Sequence, residues 1–128
     1  MFSHIFVGSN DLDRAKTFYD ATFAAIGGKP GVLDPVKQRI TYMHNGGLFM
    51  ISKPIDGQPA TPANGGTIGF AIATPELINA WHDAGVAAGG ATCEDPPGIR
   101  EGGGMKLYLA YLRDPDGNKL CGLLRVTD

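Results

Sequence analysis

The sequence has little that would direct it to a membrane, to nucleic acid or to a disulfide-stabilised fold. No apolar run approaches the roughly 18 residues that a membrane span needs. The formal net charge is −2 and the 11 Lys and Arg residues form no basic block, so we expect no nucleic-acid partner. There are only 2 cysteines, and the first residues lack the charged and apolar regions of a secretory signal. We therefore expect free thiols and a cytoplasmic location.

Glycine and proline are plentiful, by contrast, and they divide the chain into short segments. The sequence has 128 residues with 19 Gly and 9 Pro, which indicates many turns within one domain that can bury a core. Residues 2–8 predict a strand, and residues 9–11 offer caps for a helix that runs to about residue 26. Two β-rich segments, 38–44 and 48–52, follow on either side of a His-Asn-Gly-Gly turn.

The same order of elements then recurs in the second half. Residues 67–73 predict a strand, and Thr74 caps a helix that has Pro75 at its first position. The apolar residues that we expect to face inward from this helix are Leu77, Trp81, Ala84 and Ala88. Gly89 and Gly90 end it as Gly27 and Gly28 end the first helix. The sequence therefore predicts an α+β fold in a single domain, 1–128, made of two βαβββ modules at about 1–58 and 66–128.

The last two strands are expected to form a hairpin around the most informative motif in the chain. Four turn-forming residue types are concentrated in the five residues Asp114-Pro115-Asp116-Gly117-Asn118, between two apolar runs. A tight turn fixes the register of both strands, and side chains alternate between the faces of a strand. We predict that Lys119, Cys121 and Leu123 share one face. Leu120, Gly122 and Leu124 then share the other.

These patterns resemble the glyoxalase I, bleomycin-resistance and extradiol-dioxygenase superfamily, also called vicinal oxygen chelate. The matching segments are Ser3-His4-Ile5, Asp11 to Ala15 with Phe18-Tyr19, and Arg113 to Leu120, and the last is the most specific. The resemblance implies a curved mixed sheet or partly open barrel with the helices outside. It also implies a homodimer, with a small-molecule ligand in a cleft between modules, either within one chain or across two.

Members of that superfamily that keep a metal hold it with one side chain from each of four strands. Carried over to this sequence, the first position falls on His4, which is a standard ligand. The second falls on or beside Phe49, the third on Thr67, and the fourth, which is usually Glu, on Cys121. Since one standard ligand and one thiol remain, we expect no cofactor. A divalent metal such as zinc, nickel, iron or manganese is the alternative, with His4 as its ligand.

Several candidate site residues have a functional and a structural interpretation. His4 is a general base in the cleft or a core histidine. Cys121 is a nucleophile or a small buried apolar residue. Tyr42, Phe49 and Tyr111, together with Thr67, line the ligand cleft or serve only the fold. Arg100 precedes a glycine-rich stretch and is a candidate anion contact. The other two histidines, His44 and His82, are expected to be solvated.

Two functions follow, with a third held in reserve. The first is a glyoxalase-like enzyme, a lyase similar to lactoylglutathione lyase or a dioxygenase, that binds a small molecule in the cleft and uses His4 and Cys121 as catalytic residues at a degenerate metal site. The alternative is a metal-free protein that sequesters a small molecule, as the bleomycin-resistance branch does. A regulatory or structural dimer without a ligand is the third. The sequence leaves open which of these applies, and whether glutathione is involved.

Overall fold

The computed structural model describes residues 1–127, and its elements repeat in two modules. The first module contains β1 (Ile5–Gly8), α1 (Leu12–Ala25), β2 (Val32–Asp34), β3 (Arg39–His44) and β4 (Gly47–Ser52). The second contains β5 (Ile68–Ala71), α2 (Pro75–Ala87), β6 (Ala91–Thr92), β7 (Gly98–Gly102), β8 (Met105–Arg113) and β9 (Lys119–Arg125). Neither helix is long and apolar enough to cross a membrane.

The strands form two mixed sheets with the same topology. The first sheet has the order β1-β4-β3-β2, and the second has the order β5-β9-β8-β6, with β7 also paired to β8. In each sheet the opening strand runs parallel to the last strand of its module, while the other pairs are antiparallel. The predicted α+β fold of two βαβββ modules is therefore confirmed. Within residues 1–127 the two sheets remain separate and close no barrel.

Both helices begin and end where their capping residues require. The Asp11 side chain accepts a hydrogen bond from the Arg14 backbone N–H at 3.0 Å, and Thr74 accepts one from Leu77 at 3.1 Å. At the other end Gly27 and Gly89 adopt φ of 84° and 101°, the left-handed conformation that glycine tolerates best. These caps fix where the helical apolar faces begin and end.

A single apolar core joins the modules. Phe18 and Tyr19 of α1, Ile78 and Trp81 of α2, and residues from both sheets belong to it. The two helices pack against each other, with Phe18 close to the buried Gly85 of α2. Each sheet therefore has one face against the shared core and one face turned away from it, which we call its outer face.

The β8–β9 turn also ties the modules together. The Asp114 carboxylate accepts hydrogen bonds from the Tyr19 hydroxyl at 2.6 Å and from the Asn118 backbone N–H at 2.9 Å. Asn118 donates to the Gly8 carbonyl at 3.0 Å, and Asp116 accepts from the Asn10 backbone N–H at 2.8 Å. The predicted hairpin is confirmed, and its turn docks on the start of the first helix.

The second module has one strand more than the predicted βαβββ order, and two further sequence predictions differ from the structure. The Gly/Pro-rich segment after residue 94 contains β7, because Gly98 to Gly102 pair with β8 despite their low strand propensity. The buried residues of α2 are Ile78, Trp81, His82 and Gly85. Of the predicted stripe, Trp81 is buried and Leu77 packs against the core, whereas Ala84 and Ala88 are only partly buried. His82 is 9% exposed instead of solvated, and its Nε2 lies 3.1 Å from the Thr92 hydroxyl on β6.

Candidate functional site

His4 lies on the outer face of the first sheet. Ile5 and Val7 pack toward the core, so the alternation of the strand directs His4 and Phe6 to the opposite side. His4 is exposed, and its ring stands nearly perpendicular to that of Phe6 in a T-shaped contact, with the ring centroids 5.6 Å apart. The Ser3 hydroxyl lies 2.8 Å from its Nδ1. This contact orients the ring and leaves Nε2 available for a ligand.

Cys121 lies on the outer face of the second sheet, directly across from Tyr111. The predicted alternation along β9 is confirmed, because Leu120 is 0% exposed within the core whereas Leu123 on the other face is 36% exposed. The thiol of Cys121 donates to the Gly122 carbonyl at 3.6 Å. Burial raises the pKa of the thiol, and the neighbouring Tyr111 hydroxyl offsets this only in part. Cys121 is therefore a neutral thiol near pH 7 and a weak nucleophile.

Charged side chains surround this cysteine. Lys119 forms an ion pair with Glu94, which raises the pKa of the lysine, and its ammonium lies 5.0 Å from the centre of the Tyr111 ring. Glu94 has φ of 57°, a left-handed conformation that is uncommon outside glycine. Arg100 on β7 donates to the carbonyls of Asp95 and Pro96 at 3.1 and 2.8 Å. Lys119 and Arg100 both act electrostatically on Cys121, so the structure brings three predicted residues, Cys121, Tyr111 and Arg100, into one cluster.

Phe49 and Tyr42 lie on the core side of the first sheet, away from the face of His4. The Phe49 ring packs against Tyr19 and Phe70 with centroid distances of 5.1 and 5.3 Å. The Tyr42 hydroxyl donates to Asp20 at 2.6 Å, and burial raises the pKa of Tyr42 strongly. Both residues line a pocket of about 250 Å³ between the modules, where the second module contributes residues 68–71. Their ligand-binding role stays a prediction, but it applies to this pocket and not to the outer faces.

The orientation of Phe49 bears on the second metal position, which the resemblance places on or beside this residue. A side chain at residue 49 points into the core, so the outer-face position beside it is Met50, which pairs with Phe6. Thr67 is exposed and lies two residues before Gly69, the partner of Cys121 across β5 and β9. Neither methionine nor a neutral threonine hydroxyl is a good ligand for a divalent metal.

The donor set of one chain does not fit a metal ion. His4 and Cys121 lie on the outer faces of two different sheets, and no three His, Cys, Asp or Glu side chains within residues 1–127 are placed to hold a metal together. A catalytic zinc site needs three protein ligands. We therefore derive no reaction step through a metal.

Three residues of these surfaces were missed in the sequence. Glu94 and Lys119 complete the cluster at Cys121, and Arg39 lies 5.3 Å from the centre of the Phe6 ring on the first sheet. The sequence held a signal for Lys119, because it stands two positions before Cys121 on the same strand face. It held none for Glu94, whose place depends on the turn after β6.

Comparisons with known proteins agree with this architecture. The family model for the Glyoxalase/Bleomycin resistance protein/Dioxygenase superfamily matches residues 1–121. A glyoxalase/bleomycin resistance protein from Albidiferax ferrireducens T118 is 57% identical, with a TM-score of 0.91 over 96% of this chain and 98% of that one. No curated protein matches the chain.

Two more distant structures share the fold. A lactoylglutathione lyase from Agrobacterium tumefaciens is 19% identical, with a TM-score of 0.62 over 96% of this chain and 92% of that one. A glyoxalase/bleomycin resistance protein/dioxygenase family enzyme from Burkholderia phytofirmans PsJN is 17% identical, with a TM-score of 0.71 over 94% and 95%. At these identities the likeness concerns the fold alone.

Proposed function

Because the chain belongs to the glyoxalase/bleomycin resistance protein/dioxygenase superfamily, we propose that it binds a small molecule without a metal, in a pocket that two copies of the chain complete. One wall is the outer face of the first sheet, with His4 and Phe6. The other is the outer face of the second sheet, with Cys121, Tyr111 and Arg100. In this proposal the protein is a cytoplasmic homodimer that sequesters a small molecule.

The observation that carries this proposal is the separation of His4 from Cys121 by the shared core. Each of these residues lies on an outer face, and the helices pack on the opposite face of each sheet. A ligand that touched only one outer face would stay largely exposed, whereas ligand pockets bury most of the ligand surface. A second copy that brings its own outer face opposite would provide this burial.

The edges of the sheets support pairing between copies. β1 and β5 are edge strands, each paired on one side only. Unpaired strand edges attract other strands, and proteins protect them by covering or association. Phe2 and Phe6, next to and within β1, are 77% and 41% exposed. Association through this edge would cover both rings together with the His4 face.

Native mass spectrometry of the purified protein tests the proposal. We expect a dimer mass with a bound small molecule, and elemental analysis without stoichiometric zinc, nickel, iron or manganese. The His4→Ala protein should lose the bound molecule because a contact on one wall is removed. The Cys121→Phe protein should lose it because the larger side chain fills the pocket. His44→Ala is the matched control, since His44 lies near Phe23 on the core side. A ligand-free monomer, or a stoichiometric metal, would contradict the proposal.

A glyoxalase-like enzyme is the second candidate, and the orientation of His4 favours it. In the tautomer in which Nδ1–H donates to the Ser3 hydroxyl oxygen, Nε2 has a free lone pair that can accept a proton from a substrate. The test is turnover of the hemithioacetal of methylglyoxal and glutathione, with and without chelator. Turnover that survives chelation and disappears in His4→Ala would favour the enzyme over the sequestering protein. The absence of turnover in the wild type would remove this candidate.

A further inference from the structure

A second pocket, of about 600 Å³, opens at one end of the first sheet. It lies where β1 and β4 end and β3 begins, and the loop after β4 forms its far wall. Its volume is within the range of pockets that hold small organic ligands. Its lining includes Val36, Lys37, Gln38, Arg39, Lys53 and Ile55.

The charge of this pocket is positive, unlike that of the chain. Lys37, Arg39 and Lys53 line it, and none of the Asp or Glu residues in the described part of the chain does, although the sequence has 13 acidic residues against 11 Lys and Arg. Among residues 1–127, none of these three cations forms an ion pair with a carboxylate. Positive groups that converge without counter-charges raise the local concentration of anions.

The side chain of Arg39 contacts an aromatic ring and makes no hydrogen bond within residues 1–127. Its guanidinium lies 5.3 Å from the centre of the Phe6 ring. Its Nε is buried and has no acceptor in the described part of the chain. A buried donor without a partner is rare and calls for a water, an ion or a ligand. Rotation of the side chain into the pocket would present the Nε–H and a terminal N–H side by side to two oxygens of an oxyanion.

The pocket wall is pre-organised around this arginine. The Asn10 side chain fastens the loop by accepting from the Ala60 backbone N–H at 2.7 Å and donating to the Ala60 carbonyl at 3.2 Å. Gln38 adopts φ of 53°, and its carbonyl accepts from the Lys53 backbone N–H at 3.1 Å. A non-glycine residue in this conformation is uncommon and tends to occur at binding sites. Val36 and Ile55 stand at the rim 89% and 105% exposed, as apolar surface for a ligand to cover.

We propose that this pocket binds a small organic oxyanion, a carboxylate or phosphate attached to an apolar group. Arg39 binds two of its oxygens, Lys37 and Lys53 neutralise its charge, and Val36 and Ile55 cover the apolar part. This site borders the His4 and Phe6 wall, because Arg39 contacts the Phe6 ring, but its lining includes neither His4 nor Cys121 and comes from one chain. Oxyanion binding here therefore does not depend on the dimer pocket proposed above.

Isothermal titration at low ionic strength tests this site with phenyl phosphate, benzoate and, as a cation of similar size, benzyltrimethylammonium. We expect at least one of the two anions to bind, more weakly as salt is added, and the cation not to bind. The tighter of the two anions identifies the oxyanion as phosphate or carboxylate. Inorganic phosphate should bind more weakly than phenyl phosphate, because it leaves Val36 and Ile55 uncovered.

Three variants complete the test. Arg39→Gln should weaken binding of the preferred anion by about ten-fold or more, and Arg39→Lys should be intermediate because it keeps the charge but loses the paired donors. Lys29→Gln, which removes a cation outside this pocket, should bind like the wild type. If Arg39→Gln fails to fold, the exposed pair Lys37→Gln/Lys53→Gln takes its place with the same expected loss. Absence of binding by both anions, equal affinity in the pocket variants, or equal binding of the cation would overturn the proposal.

Discussion

At the residue scale, the surroundings of Cys121 decide what its thiol can do. The side chain is 5% exposed, and burial raises its pKa even though Lys119 and Arg100 act in the opposite direction. The sequence left open whether this residue is a nucleophile or a small apolar residue. The structure favours a wall of the pocket, because a nucleophilic cysteine needs a lowered pKa.

Alkylation of the native protein measures the reactivity of the Cys121 thiol directly. At pH 7.5, iodoacetamide should modify Cys93, which is partly exposed, well before the buried Cys121. Modification of Cys121 should accelerate as the pH rises toward its raised pKa, because the thiolate is the reacting form. Peptide mapping by mass spectrometry gives both rates. Faster modification of Cys121 than of Cys93 at pH 7.5 would restore the nucleophile interpretation.

Asp114 belongs to the same scale, although it acts on the fold and not on a ligand. Its carboxylate accepts four hydrogen bonds, two from backbone N–H groups of the turn and two from Tyr19 and Asn118. Asp114→Ala leaves these donors unpaired in a buried place, which should lower the free energy of unfolding by about 2–4 kcal/mol. Urea unfolding gives the value. Asp56→Ala, at an exposed loop carboxylate, is the control, and an equal loss in both variants would refute this role for Asp114.

At the scale of elements, α2 shows what sequence periodicity could and could not predict. Its start at Thr74-Pro75 was readable, because capping is local chemistry. Its buried face was not, since Gly85 is buried because β8 and α1 both approach it closely. A Cβ at Gly85 would lie 2.4 Å from a Leu112 methyl group and 3.2 Å from the Phe18 ring. Close packing of this kind buries a glycine that hydrophobicity alone does not assign to the inner face.

The contact between α2 and β6 should make stability depend on pH. Burial lowers the pKa of His82 below its ordinary value of 6.5, and Asp83 offsets this only in part. As the pH falls below 6.5 the unfolded chain takes up the proton more readily than the folded one, so stability present above that pH is lost. The melting temperature should therefore fall between pH 7.5 and 5.5, and less so in His82→Gln. Equal pH profiles for both proteins would contradict this account.

At the scale of the whole molecule, the sequence predicted the modules but not how they face each other. The duplicated order of strands and helices is a local pattern, and so is the register of the last hairpin. The side to which Phe49 turns depends on contacts with Tyr19 of its own module and Phe70 of the other. No single segment of sequence encodes that the two sheets share one core.

The claim at this scale is that two copies of the chain make one pocket. We expect light scattering at micromolar concentration to give twice the mass of the 13.5 kDa chain. Phe6→Glu should shift the protein toward the monomer, because it places a charge at the edge where the copies meet. Leu33→Glu, on the far edge strand β2, changes an equally exposed apolar residue and should leave the dimer intact. A monomeric wild type, or equal behaviour of the two variants, would contradict the claim.

Zinc binding by an engineered pair of chains tests that claim most directly. One chain carries Met50→Glu and Cys121→Ala and keeps His4, so it supplies two ligands from the first outer face and none from the second. The other carries His4→Ala, Thr67→His and Cys121→Glu, so it supplies two ligands from the second outer face. If the pocket forms between copies, each chain alone should bind zinc weakly or not at all. Tight zinc binding should appear when the two chains are refolded together. A single chain that carries Met50→Glu, Thr67→His and Cys121→Glu and keeps His4 is the comparison. If this chain binds zinc as a monomer and mixing the other two chains does not increase zinc binding, the pocket lies within one chain and the account is contradicted.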